Sequence, residues 1–262
     1  MNRISLQPAF ILHARPYHDT SLLLDVFSRE QGRVHLIAKG VRVRKSKTAV
    51  LLQPFFPLFL SWQGRTDLMT LTQVEPRAVF YGLQAEALLC GLYLNEMLVR
   101  LLQRADPCPG LFERYDATLK CLAQSLTIPI TSEEIAPSVV SPVLNAAARV
   151  EVSLQAVLRL FEKQLLVELG YALPLEYDVN GDQIEANQTY AFIPALGFKR
   201  SQLNDKTIRS SLFSGACLVA LHQENFKHQP VLLEMKRLLQ LALAPLLGEK
   251  PLKSRECFVR SA

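Results

Sequence analysis

A run of basic residues between Arg33 and Lys47 is the part of the sequence whose residue types most directly indicate a chemistry. It contains six Lys or Arg side chains and no Asp or Glu, namely Arg33, Lys39, Arg42, Arg44, Lys45 and Lys47. Lys and Arg at this density neutralise phosphates and release their counterions, so the run favours a polyanion ligand. The alternative is that these cations only protect a sheet edge and a solvated loop.

Alternation within the predicted strand supports the ligand-binding interpretation. Successive side chains of a strand point to opposite faces, so Arg33, His35 and Lys39 are expected opposite a core face formed by Val34 and Leu36. The loop that follows adds further cations, which can follow a phosphate backbone without a fixed register. We predict a nucleic-acid-binding set that consists of Arg33, His35, Lys39, Arg42, Arg44, Lys45 and Lys47.

The distribution of charge along the chain points to the same region. The chain has 262 residues and a formal net charge of +5. Residues 1–80 hold eleven Lys or Arg against five Asp or Glu, a net +6, whereas the remainder carries eighteen against nineteen, a net −1. This asymmetry predicts a polyanion-binding module joined to a nearly neutral one.

The elements that must position these cations are short strands followed by helices. Runs of strand-forming residues separated by turn residues predict five strands, with a long connection after the third, as in an OB-fold barrel. The predicted strands are Leu6–Ala14, Ser21–Phe27, Arg33–Lys39, Phe55–Trp62 and Leu68–Val74.

After Pro76 the apolar period lengthens to that of helices. We predict an OB-fold domain over 1–80 and a mostly α-helical domain over 81–262, an α+β multidomain chain with an irregular or β insert at about 171–200. The predicted helices are Leu83–Arg104, Leu111–Leu126, Val150–Leu169, Ile208–His222 and Pro230–Leu247, with an irregular connection over Ser125–Pro142 and a strand at Tyr190–Ile193.

Motifs for catalysis and metal binding are missing from the sequence. There is no Gly-x-x-x-x-Gly-Lys-Ser/Thr loop, Gly-x-Ser-x-Gly elbow, Cys-x-x-Cys pair or His-x-x-x-His pair. We expect a non-enzymatic protein without cofactor or metal. The apolar windows are short and interrupted, and the cysteines are few and widely spaced, so we expect no membrane association and a cytoplasmic, nucleoid-associated location.

Several blocks of the sequence resemble the bacterial recombination mediator family RecO. They occur in the order of that family: Ser21–Asp25, Gly32–Val34, Ala38–Gly40, Leu52–Phe55, Gly91–Glu96, Leu158–Glu162 with Leu169–Tyr171, and Gly248–Arg255. The resemblance implies an OB-fold followed by a helical domain, binding of single- and double-stranded DNA, strand annealing, and no enzymatic activity. It also implies partnership with RecR and with single-strand-binding protein, and indirectly with RecA. On matching positions it implies that Arg33, Lys39 and Arg42 face DNA.

The same resemblance implies that the helical domain binds the acidic, Phe-ended tail of single-strand-binding protein. Such a tail needs a cation beside an apolar groove, and the candidate residues are Arg159, Lys163 and Phe161. The alternatives are a solvated helix face for Arg159 and a core position for Phe161. Two departures from the family concern this domain: residues 171–200 contain no cysteine, which predicts that the family's four-cysteine zinc module is absent, and residues 128–153 are longer than the family norm.

Aromatic side chains offer weaker candidates for contact with bases. Trp62 and Tyr17 lie at predicted strand ends, where they could stack on a base, whereas Phe55, Phe56 and Phe59 are spaced as core residues. The function predicted is a mediator that binds DNA, anneals strands and helps to load RecA during repair. Two alternatives remain, an RNA-binding OB-fold protein of translation or RNA maturation, and a nuclease or other phosphotransfer enzyme.

Overall fold

A computed structural model describes residues 2–43, 47–124, 153–201 and 211–255. Its amino-terminal part is a closed barrel of five strands in the order β1-β2-β3-β5-β4, the topology of an OB-fold, and the predicted fold class is confirmed. The strands are β1 (Asn2–Tyr17), β2 (Ser21–Ser28), β3 (Gly32–Ala38), β4 (Leu58–Gly64) and β5 (Leu68–Pro76). The short helix α1 (Lys47–Leu51), which was not predicted from the sequence, lies in the long connection after β3.

The barrel interior is filled by alternate residues of the strands. Along β3, Val34, Leu36 and Ala38 are buried while the residues between them are partly exposed, as strand periodicity requires. Trp62 of β4 lies among them and is completely buried. A bulge in β1 between Ile11 and His13 shifts the register there.

Helices occupy most of the second part of the chain. They are α2 (Ala85–Leu101), α3 (Pro109–Gln124), α4 (Leu154–Glu168), α5 (Gly215–His222) and α6 (Gln229–Leu247). Their ends follow local chemistry: the Ser153 hydroxyl accepts from the Ala156 N–H at the start of α4, and Gly170, with a φ of 81°, ends that helix. The predicted connection over Ser125–Pro142 lies outside the described residues.

A small antiparallel sheet interrupts the helices, in the order β7-β6-β8. Its strands are β6 (Thr189–Ile193), β7 (Gly197–Arg200) and β8 (Leu212–Ser214). The sheet has β6 and β7 within the insert predicted at 171–200, but β8 lies beyond these bounds, and the helix predicted from Ile208 begins only at Gly215. The difference has a local reason, because Ser214 caps α5 by accepting from the Cys217 N–H and the residues before it pair with β6.

The helices pack on one part of the barrel's outer surface and share a core with it. Phe10 and Phe27 point out of the barrel and contact Phe112 of α3, with ring centroids 5.4 Å apart in both pairs. Gly32, the first residue of β3, lies against the connection between α2 and α3. A Cβ on Gly32 would lie 2.0 Å from the Asp106 carbonyl oxygen, so a glycine is required there.

Candidate nucleic-acid interface

The part of the barrel's outer surface that the helices leave open is the candidate interface, and we call it the open face. In β1, β2 and β3 it is built from outward-pointing residues in register, since Arg15 faces Leu23 and Leu23 faces Ile37. Directly opposite residues of neighbouring strands point to the same side. The open face comprises His13, Arg15, Tyr17, Leu23, Ile37 and Lys39, bordered by the β1–β2 turn.

Arg15, Lys39 and Arg42 are the exposed cations of this region. Within the described part of the chain none of the three has an ion-pair partner. Arg42 is fixed in place because its N–H donates to the Thr20 carbonyl at 2.9 Å and its guanidinium donates to the His18 carbonyl at 3.0 Å. The carbonyls of the β1–β2 turn therefore hold Arg42 in place, and Arg15, Lys39 and Arg42 form a cationic rim beside this turn, whose own charged residue is the exposed Asp19. Arg15 was not among the predicted residues, although its position two residues before Tyr17 in an alternating strand was a usable signal.

Arg33 and His35 lie on the outer side of β3 but do not present free charge to solvent. Asp25 of β2 pairs with His35 in the strand register and accepts from both residues, at 2.9 Å from the Arg33 Nη2 and 2.6 Å from the His35 Nε2. The side chains of Arg33 and His35 are only 14% and 16% exposed. The expectation that β3 offers their charge outward is therefore wrong for Arg33, because its guanidinium pairs with the Asp25 carboxylate on the neighbouring strand. Their assignment as DNA contacts stays a prediction.

Asp25 is held in its charged form by these neighbours. Burial raises the pKa of the Asp25 carboxyl, but the hydrogen bond and positive charge of Arg33, together with His35, outweigh that effect, so the pKa of Asp25 lies below its ordinary value. The Arg33 guanidinium also donates to the Leu102 carbonyl at 3.3 Å, which connects this cluster to the end of α2.

The remaining predicted cations cannot be placed. Arg44 and Lys45 lie outside the described residues, and so does the side chain of Lys47.

The two aromatic candidates for base stacking have different surroundings. Trp62 is completely buried in the barrel core, so its predicted contact with a base is wrong. Tyr17 is partly exposed and forms an edge-to-face ring pair with the exposed His18, with centroids 4.2 Å apart. The middle of the open face is formed by the aliphatic residues Leu23 and Ile37, so the cations at its rim outnumber the aromatic side chains that could stack on a base.

The candidates for binding the protein tail lie on α4, and two of them are inaccessible. Phe161 is completely buried and contacts Tyr115, which confirms the core alternative. Arg159 is 2% exposed and forms a 2.7 Å ion pair with the buried Glu162. The expectation of an exposed cation at Arg159 is therefore wrong, because α4 turns this position toward α2 and the Tyr93 hydroxyl, which also donates to Glu162.

Lys163, one turn further along α4, borders a groove of about 310 Å³. Its ammonium group donates to the Glu224 carboxylate at 2.9 Å and to the His222 carbonyl at 3.2 Å. Apolar residues of the segment after α4 line one part of the groove, namely Leu173, Pro174 and Leu175, and Glu176, Tyr177 and His222 line the rest. A cation and an apolar surface thus meet here, whereas Arg159 and Phe161 are directed into the core.

Neither a metal site nor a membrane span is found over the described ranges. No group of three or more His, Cys, Asp or Glu side chains within them is arranged to hold a metal ion. No helix there is both long and apolar enough to cross a bilayer.

Comparison with known proteins covers both parts of the chain. Residues 1–80 match the family model of the recombination protein O N terminal, and residues 83–131 and 143–256 match that of the recombination protein O C terminal. A DNA repair protein RecO from Coxiella burnetii (strain RSA 331) is 42% identical over 255 residues, 97% of each chain. A protein of that name from Haemophilus influenzae (strain 86-028NP) is 39% identical, and the match covers 98% of this chain and 96% of that protein. Another from Nitrosococcus oceani is 43% identical, and the match covers 97% of this chain and 92% of that protein.

Proposed function

The chain belongs to the RecO family of DNA repair proteins, and from this premise we propose that its open face binds the backbone of single- and double-stranded DNA. The observation that carries the proposal is the cationic rim formed by Arg15, Lys39 and Arg42 beside an apolar centre. In an OB-fold the face of strands 2 and 3 and the loop between strands 1 and 2 are the usual site for oligonucleotides. The rim lies at that place.

We infer that the protein anneals complementary strands without breaking or making bonds. Annealing is limited by repulsion between two phosphate backbones, and exposed cations that neutralise both lower that repulsion. Contacts to phosphates carry no base sequence information, so a face of this kind accepts any sequence. The role that follows is a mediator that brings strands together and helps RecA to load on strands covered by single-strand-binding protein.

We further propose that the helical part of the chain binds the partner proteins. We propose that the acidic tail of single-strand-binding protein binds the groove at Lys163, where its carboxylates replace the partly exposed Glu224 and its Phe enters beside Leu173. RecR is the second partner expected from family membership. The tail proposal is tested by titrating a labelled tail peptide into the protein and into Lys163→Ala, with Lys39→Ala, an exposed site on the barrel, as the control with the same change of charge. Equal affinities for both variants and the parent contradict it.

The DNA-binding proposal is tested by a salt titration of single-stranded DNA binding. The variant is the triple substitution Arg15→Ala, Lys39→Ala and Arg42→Ala. Each phosphate contact to a single strand contributes about 0.7 to the slope of log affinity against log salt, so the expected slope is shallower by about 2. An unchanged slope contradicts the open face as the binding site.

Two further measurements separate this function from its alternatives. Competition between DNA and RNA oligomers of one sequence distinguishes a DNA mediator from an RNA-binding protein, which would prefer RNA. Incubation of labelled DNA with the protein and Mg²⁺ tests the non-enzymatic role, since cleavage that increases with time contradicts it.

A further inference from the structure

The connection between α2 and α3 continues the edge of the barrel at Arg33. On that edge β5 pairs with β3 only at His35, Leu36 and Ile37. Toward the start of β3 its place is taken by Arg104, which forms an isolated parallel bridge with Arg33. The Ala105 N–H donates to the Arg33 carbonyl at 3.0 Å, and the Arg33 guanidinium donates to the Leu102 carbonyl. The backbone at Arg104 is thus held to the barrel from both sides.

The bridge also fixes the side on which Arg104 lies. Paired residues of neighbouring strands point to the same side, and Arg33 points outward. Arg33 itself is largely covered and paired with Asp25, whereas Arg104 is exposed and, within the described residues, has no ion-pair partner. At this end of β3 the accessible positive charge therefore belongs to Arg104.

We propose that Arg104 is a phosphate contact that extends the DNA path from the barrel onto the helical part, with Arg33 as the positioning residue that holds it. The inference rests on the proposed DNA-binding function and deepens it. Arg33 and Lys39 are six residues apart, which corresponds to about 20 Å along a strand. A single strand bound at the rim near Lys39 must extend this distance along the open face to reach Arg104.

The length of the oligomer is the variable that tests the inference. One OB-fold covers about 4–16 nucleotides, so the full-length protein is titrated with single strands at the lower end of this range and with strands well above it. The variants are Arg104→Ala, Arg104→Lys, and Lys227→Ala as a control with the same change of charge. Lys227 is exposed and lies in the connection between α5 and α6, outside the barrel.

We expect Arg104→Ala to leave binding of the short strand unchanged and to make the salt slope for the long strand shallower by about 0.7. Arg104→Lys should restore the slope because it restores the charge, and Lys227→Ala should match the parent. Equal slopes for Arg104→Ala and Lys227→Ala with long strands overturn the inference.

The same titration distinguishes failure of the Arg104 proposal from failure of the open face as the DNA-binding site. If the parent binds DNA and the Arg15, Lys39 and Arg42 triple variant weakens binding at both lengths while Arg104→Ala does not, only this inference fails. If the triple variant also binds like the parent, the open face itself is not the DNA site. Circular dichroism of each variant excludes misfolding as the cause of a shallower slope.

Discussion

The carboxylate of Asp25 and the guanidinium of Arg33 form a 2.9 Å ion pair across the neighbouring strands β2 and β3. The pair lies on the outer side of the barrel, at the boundary between the open face and the helical part. It withdraws a cation from a surface that otherwise carries positive charge. Asp25 thus determines how much positive charge β3 presents to a ligand.

Substitution Asp25→Asn is expected to strengthen DNA binding. It removes a negative charge from the outer side of β3 and releases Arg33 from its ion pair, so the salt slope for single-stranded DNA should become steeper by about 0.7 for each additional phosphate contact. Fluorescence anisotropy at several salt concentrations measures the slope. Glu249→Gln, an exposed site after α6 with the same change of charge, is the control. A slope equal to that of the control would show that Arg33 stays inaccessible without Asp25.

The pH dependence of stability tests the same pair independently of DNA. The pKa of Asp25 is lowered in the folded state, so its contribution to stability is present above the unfolded value of about 3.9 and is lost as the pH falls through the folded value. The parent should exceed Asp25→Asn by about 1 kcal/mol in free energy of unfolding near neutral pH, since the pair is partly exposed. Urea titrations from neutral to acid pH should show this difference shrinking. A difference independent of pH would mean that Asp25 acts through packing and not through its charge.

The barrel could be predicted from the sequence because its signals are local. Alternation along β3 and turn residues at Gly32 and Gly64 fix where strands lie, and the observed strands overlap the predicted ones. The helices with clear apolar periodicity were predicted for the same reason. The strand β8 was not predicted, because it has only three residues and they form a strand through their pairing with β6.

The candidate site was less predictable, since it depends on which residues meet across strands. Alternation correctly placed Arg33 and His35 opposite the barrel core, but sequence spacing could not show that Asp25 lies in register with His35. In the same way, Arg159 was predicted as an exposed cation because helical periodicity alone does not reveal Glu162 as its buried partner. Arg104 carried no sequence signal at all, because its position arises from a bridge to a strand 71 residues earlier.

The shared core predicts a single unfolding transition, although the sequence predicts two domains divided near residue 80. Phe112 of α3 is completely buried against Phe10 and Phe27 of the barrel. Phe112→Ala should lower the free energy of unfolding by about 3–5 kcal/mol and shift the unfolding of both parts together. Trp62, the single tryptophan, reports on the barrel by fluorescence, and circular dichroism reports on the helices. Phe80→Ala, at an exposed site, is the control. Separate midpoints for the two probes would show that the parts unfold independently.

Arg159→Ala is expected to lower the free energy of unfolding and not to remove a direct contact with a partner. Arg159 and Glu162 are both almost completely buried, and burial raises the pKa of Glu162 although the charge of Arg159 opposes that effect. Removing one member of a buried ion pair leaves an uncompensated polar group and costs about 3–5 kcal/mol. Chemical denaturation should show a loss of this size for Arg159→Ala and less than about 1 kcal/mol for Lys163→Ala, whose ion pair with Glu224 is on the surface. Binding of the tail peptide, measured where both variants are folded, should then depend on Lys163. If Arg159→Ala keeps the parent's stability and abolishes tail binding, Arg159 is accessible in solution and is itself the contact.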